Sequence, residues 1–137
     1  MYITDNLIKF LNNSMILSDS TIILTNLDKV VFVASSDDNN YLNKSLHNDL
    51  KRLLNLYTID SGYADYMNVS MDTIVPIVED DDISKYKSQI VLPVIHNDII
   101  DGLLIFITDK REYLDSNLKY AKTAKHFVEI FSTKDYL

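Results

Sequence analysis

Residues 88–108 read SQIVLPVIHNDIIDGLLIFIT. Two apolar, β-rich runs, 88–95 and 102–108, flank the polar joint HNDIID at 96–101. Asn and Asp tolerate turn conformations, so the stretch predicts an antiparallel hairpin. Pro93 has no N–H to give a ladder, which predicts a sheet edge or a local bulge at that point.

Upstream, TIILTNLDKVVFVAS at 21–35 repeats the pattern. Its runs Thr21–Thr25 and Val30–Ala34 are joined through Asn26, Leu27, Asp28 and Lys29, a second hairpin. DTIVPIV at 72–78 reads as a further strand, again with a proline, Pro76, that favours an edge or a bulge. SSDDNN at 35–40 and EDDDISKYK at 79–87 read as polar loops. Residues 58–72 carry no clear periodicity, and Gly62 suggests a turn there.

Three segments carry helical periodicity. Leu7, Ile8, Leu11 and Met15 share one face of a helix over 5–17, with Thr4 or Asp5 as its cap. Leu42, Leu46, Leu50, Leu53 and Tyr57 recur at steps of 4, 4, 3 and 4, with Asn43 or Ser45 where an N-cap is needed. Leu118, Ala121, Ala124, Val128 and Phe131 form the last stripe, capped by Asp115 or Ser116. Lys119, Lys122, Lys125 and Glu129 are expected mostly on its other faces. The expected fold is α+β: a central, mostly antiparallel sheet of five to six strands, with the N- and C-terminal helices on one face.

The bulk numbers agree with one such domain over 1–137. Apolar residues make up 47% of the 137 and charged residues 24%. No apolar run approaches the ~20 residues that span a bilayer, and the start has no signal-peptide pattern. A cytoplasmic protein is expected. The net charge is −7 and the pI about 4.7. Lys51–Arg52, Lys85/Lys87 and Lys110–Arg111 are isolated basic pairs among acids, so neither direct nucleic-acid binding nor an anionic membrane surface is expected. The absence of cysteine removes disulfides, thiolate metal sites and a thiol nucleophile.

The element order resembles that of the GAF/PAS superfamily of sensor domains, which implies a GAF/PAS-like fold, and PVIHNDIIDGLLIF at 93–106 is similar to the GAF signature. YLNKSLHNDL at 41–50, after a strand and a polar loop, is similar to the GAF branch at the C-terminal end of the stage V sporulation protein T regulators, a likeness over roughly residues 1–133. The resemblance implies a non-catalytic domain that dimerises and modulates a transcription regulator. In such regulators a separate N-terminal swapped-hairpin domain binds DNA; the 137 residues hold no such segment, so the chain is expected to be a free-standing relative or a piece of a longer regulator. Bilin-binding GAF domains and free-methionine-sulfoxide reductases use a cysteine that is missing here. Cyclic-nucleotide binders carry Asn-Lys-Phe-Asp-Glu, whereas Asn43-Lys44 is followed by Ser45-Leu46-His47.

Candidate sites follow. Asn43, Lys44 and Ser45 cap a helix in the simpler reading; in the functional one they hold an anionic ligand at its N-terminus. Tyr57, Tyr63, Tyr66, Met67 and Met71 suit a lid over a small-molecule cavity, because tyrosine offers a polar tip and methionine adapts to odd shapes; a lid packed on the sheet with no cavity is the plainer alternative. Glu79–Asp82 lacks the spacing of a cation loop and reads as solvated. His47, His96 and His126 show no ligand spacing, and no metal or cofactor is expected. No nucleophile elbow, HExxH or phosphate loop is visible. Leu7, Leu11, Tyr120, Phe127 and Phe131 are candidates for a homodimer seam. Two readings stand: a sensor for an unidentified small molecule, or a ligand-free docking platform whose acidic surface suits a basic regulatory partner.

Overall fold

The computed structural model describes residues 1–35, 40–59, 66–68 and 74–133. Strand β1 (Tyr2–Ile3) leads into helix α1 (Asp5–Ser18). Thr4 caps that helix, its hydroxyl accepting the Leu7 N–H at 3.2 Å. Asp19 ends it in the left-handed region at φ 52°. The hairpin β2 (Thr21–Thr25) and β3 (Val30–Ala34) follows; its turn is closed by Asn26 Oδ1, which accepts the N–H groups of Asp28 and Lys29 at 2.8 Å. Helix α2 (Asn48–Ile59), strand β4 (Tyr66–Asn68), the hairpin β5 (Ser88–His96) and β6 (Ile99–Thr108), helix α3 (Asp115–Phe131) and strand β7 (Ser132–Thr133) complete the order.

The sheet is antiparallel throughout, in the order β3-β2-β6-β5-β4. It has four full strands and a three-residue edge, the lower end of the expected range. Asn97 and Asp98 turn the β5–β6 hairpin with φ 52° and 65°, the left-handed pair that a two-residue hairpin loop requires. Among the described residues β4 pairs with Gln89–Val91, and a register shift in β5 follows Pro93 at Val94/Ile95.

Helices α1 and α3 cover one face, where Leu7, Leu11, Ala121, Ala124 and Val128 meet Ile22, Leu24, Ile90, Leu92, Leu104 and Phe106. Helix α2 covers the other, where Leu46, Leu50 and Leu54 meet Ile23, Val91, Leu103, Ile105 and Ile107. Burial on both faces explains why LLIFI reads as continuous apolar sequence rather than as an alternation. Each such leucine or isoleucine contributes about 1.5–3 kcal/mol.

Three expectations are corrected. Residues 74–77 form no strand: Gln89 takes both hydrogen bonds of the Val75 backbone, and only Val78 makes an isolated bridge, to Leu46. The helix expected from Leu42 starts at Asn48 instead. Asn43 adopts φ 65°, and its N–H and the Lys44 carbonyl pair with Val30 on the edge of β3. The helix cap is His47, whose Nδ1 accepts the Asp49 N–H at 3.0 Å. On α3 the cap position is Leu114, with Asn117 Oδ1 accepting its N–H at 2.8 Å.

Candidate functional site

A cleft of about 360 Å³ opens where β2 begins and β6 ends. The register sets its floor, because Thr21 pairs with Ile107 and Ser88 with Thr108. Met15, Ile16 and Asp19 bring in the last turn of α1. Tyr41 and Tyr86, both buried, close the side nearest α2's face of the sheet.

Two networks fix these walls. Asp19 pairs with Lys110 at 2.6 Å and Arg111 at 3.6 Å. The hydrogen bond from Lys110 holds the Asp19 carboxyl below its ordinary range. Arg111 also donates to the Ser18 carbonyl at 2.9 Å, satisfying an orphan acceptor at the end of α1. Behind them, Ser20 Oγ and Tyr113 Oη lie 2.6 Å apart, and the Tyr113 N–H donates to Ser88 Oγ at 2.9 Å.

On the other side Asp81 is the hub. Its carboxylate accepts the Ile77 N–H at 2.9 Å, Tyr41 Oη at 3.2 Å and Tyr86 Oη at 3.3 Å. Burial pushes this carboxyl up and pushes the Tyr86 phenol up as well. The Lys85 ammonium lies 5.3 Å from the Tyr86 ring centre. Tyrosine rings, Met15 and Ile107 thus face Ser35, Thr21, Thr108 and charges of both signs. Such a lining fits a small molecule with an apolar body and a polar end.

Of the predicted ligand residues, those whose side chains are described do not converge here. Asn43, Lys44 and Ser45 lie outside the cleft lining. Lys44 reaches Asp80 at 3.0 Å, an exposed pair, and Ser45 bridges Lys29. Because α2 starts at Asn48, they present no helix N-terminus to an anion. Tyr57 lies on α2, and Tyr66 and Met67 on β4; their side chains, like all of Tyr63 and Met71, lie outside what is described. Tyr41 and Tyr86 were missed because neither has a periodic neighbour. Asp81 was hidden in an acidic run read as solvated, which holds for exposed Glu79, Asp80 and Asp82.

Of the expected seam, Leu7 and Leu11 are wholly buried within the chain. Phe127 stacks on Phe10 with ring centres 3.9 Å apart and on Phe131 at 4.4 Å, and Tyr120 donates to Ser14 Oγ at 2.7 Å. These rings tie α3 to α1 and stay partly exposed, beside solvent-facing Ile130.

The family model described as "Stage V sporulation protein T C-terminal, transcription factor" matches residues 7–129. Among solved structures, the GAF domain of a two-component sensor histidine kinase from Bacillus halodurans is similar, at TM-score 0.67 and 13% identity, covering 96% of this chain and 95% of that one. The GAF domain of PixJ from Thermosynechococcus elongatus, in its blue-light-absorbing form, gives 0.59 and 12%, covering 93% and 89%. A type II free methionine-R-sulfoxide reductase from Thermoplasma acidophilum gives 0.50 and 13%, covering 94% and 99%. At these identities the likeness is one of fold. No curated protein matches the chain.

Proposed function

The chain belongs to the family of stage V sporulation protein T C-terminal domains, and from that premise we propose that it is a GAF-type regulatory module that senses a small molecule and passes the signal through paired helices. One observation carries this reading: the cleft touches the last turn of α1, while the first turn of α1 lies against the end of α3. There Thr4 Oγ1 donates to the Phe131 carbonyl at 2.9 Å, and β1 pairs with β7. A ligand that moves Met15, Ile16 or Asp19 therefore displaces a rigid rod whose other end holds the start of the chain to the end of α3.

Transmission requires that the ligand bind one arrangement of α1 better than another. The homodimer we propose uses the outer faces of α1 and α3, through Tyr120, Phe127, Phe131 and Ile130. Leu7 and Leu11 then serve the core beneath. The role we propose is non-catalytic, in a sporulation-type transcription regulation system, as the family match suggests. The second reading, a ligand-free platform for a basic regulatory partner, is favoured by the −7 net charge.

A thermal-shift screen with amino acids, nucleotides and acyl metabolites separates the two. A ligand at ~100 times its Kd stabilises the fold by ~2.7 kcal/mol. A shift from one class, lost in a Tyr86→Ala or Thr108→Val variant, supports the sensor. No shift from any class, with a dimer that forms all the same, supports the platform.

A further inference from the structure

At the pole opposite the cleft, His96 ends β5 with its ring 10% exposed. Its Nδ1 lies 2.7 Å from Asp101 Oδ2 on β6. Its Nε2 lies 3.1 Å from the Glu129 carbonyl in the last turns of α3 and 3.1 Å from Ser132 Oγ. The donor count of this cluster is informative. A carbonyl oxygen only accepts, and Ser132 gives its one hydroxyl proton to the Val128 carbonyl at 2.6 Å, so both partners of Nε2 are acceptors. Nε2 must carry a proton. An ionised Asp101 carboxylate also only accepts, and it is then matched by a second proton on Nδ1.

We infer that His96 is a doubly protonated latch, an imidazolium that fastens the β5–β6 hairpin to the end of α3 and releases it on losing a proton. Three further features agree. Helix α3 has no basic residue in its own last turn, where a positive charge is favourable, and His96 supplies it from the sheet. Among the described residues Asp101 Oδ1 is buried without a hydrogen-bond partner, so an ionised Asp101 depends on the imidazolium for compensation. Ser132, which accepts from Nε2, is the residue through which β7 pairs with Ile3 of β1. Loss of one ring proton takes away the donor either to Asp101 or to α3, and frees the ribbon at the chain's start.

The other charged groups around the ring are already matched. Lys125 and Ile95 N–H both donate to Glu129 Oε2 at 2.8 Å. His126 lies 3.3 Å from Glu129 Oε1 but is mostly exposed. Asp98, in the hairpin turn, is exposed. His47 makes the opposite demand: its Nδ1 accepts the Asp49 N–H, so that nitrogen must be bare.

Imidazole nitrogen-15 spectra of the full chain at neutral pH test this directly. The expected result is two protonated nitrogens on His96 beside one bare nitrogen on His47. A bare nitrogen on His96 overturns the latch. Independently, melting temperatures are compared between the wild type and His96→Gln from about pH 6 to about pH 9. The wild type is expected to exceed the variant by on the order of 5 °C at the acidic end, with the gap closing as pH rises. A gap that stays constant with pH overturns the latch. If the variant fails to fold, the nitrogen spectrum of the wild type still decides.

Discussion

The side-chain amide of Gln89 bonds the backbone of Val75 twice: the Val75 N–H donates to Oε1 at 2.9 Å, and Nε2 donates to the Val75 carbonyl at 2.8 Å. Gln89 is fully buried on β5. It does for residues 74–77 what a neighbouring strand would have done, beside a proline that could not have joined a ladder fully. Gln89→Leu leaves both Val75 groups without partners and is expected to cost about 2–4 kcal/mol, read from urea unfolding. Gln89→Glu places a carboxylate oxygen against the Val75 carbonyl. That variant is expected to recover stability on acidification, when the protonated acid can donate again.

Gly102 is required by close approach. A Cβ there would lie 1.9 Å from the Thr25 carbonyl oxygen of β2, and backbone in a paired strand cannot move aside cheaply. Gly102→Ala is expected to destabilise by about 1–3 kcal/mol or more, measured by denaturant melts. A neutral result would mean that β2 and β6 are not paired in this register.

Asp81 gives a signed pH effect. Burial raises its carboxyl, so the folded state binds that proton more tightly than the unfolded state does. Its contribution to stability is complete below the ordinary carboxylate range and is lost as pH rises through the raised value. Asp81→Asn removes the buried charge and keeps one acceptor oxygen, enough for the two phenols or for the Ile77 N–H but not for both sides. It is expected to flatten this part of the pH profile and to cost less at neutral pH than Asp81→Ala. The alanine variant strands three donors and is expected to lose about 2–3 kcal/mol.

His47 caps α2 through a ring nitrogen. His47→Ala is expected to cost about 1 kcal/mol, and His47→Asn or His47→Asp to restore most of it. Equal losses in all three variants would show that the ring acts by packing alone.

The two hairpins and their antiparallel pairing are legible because turn chemistry marks them: Asn97 and Asp98 do adopt left-handed backbone, and Asn26 does close its turn; β4, at Tyr66–Asn68, lies in the stretch without periodicity and carries no such mark. Helix starts were less legible. Leu42 falls in phase with Leu46 and Leu50, yet it lies before the helix and is exposed, because period alone does not say where the backbone turns. Histidine is not a usual cap, so His47 gave no signal. The cleft was invisible for a different reason. Its walls come from segments near residues 15, 41, 86 and 108, which only the β2–β6 register brings together. Lys125 was placed on an outer face but is nearly buried, since its pairing with Glu129 meets the cost of desolvation.

The sensor reading is tested most directly by following backbone amide signals of the full chain while candidate metabolites are titrated in. The account predicts that a binding compound first shifts Ser20, Thr21, Thr108 and Lys110 around the cleft, and then Ile3 and Thr4 at the far end of α1. Compounds that bind while leaving the first group unmoved, or that move it with no response at Ile3 and Thr4, would contradict it.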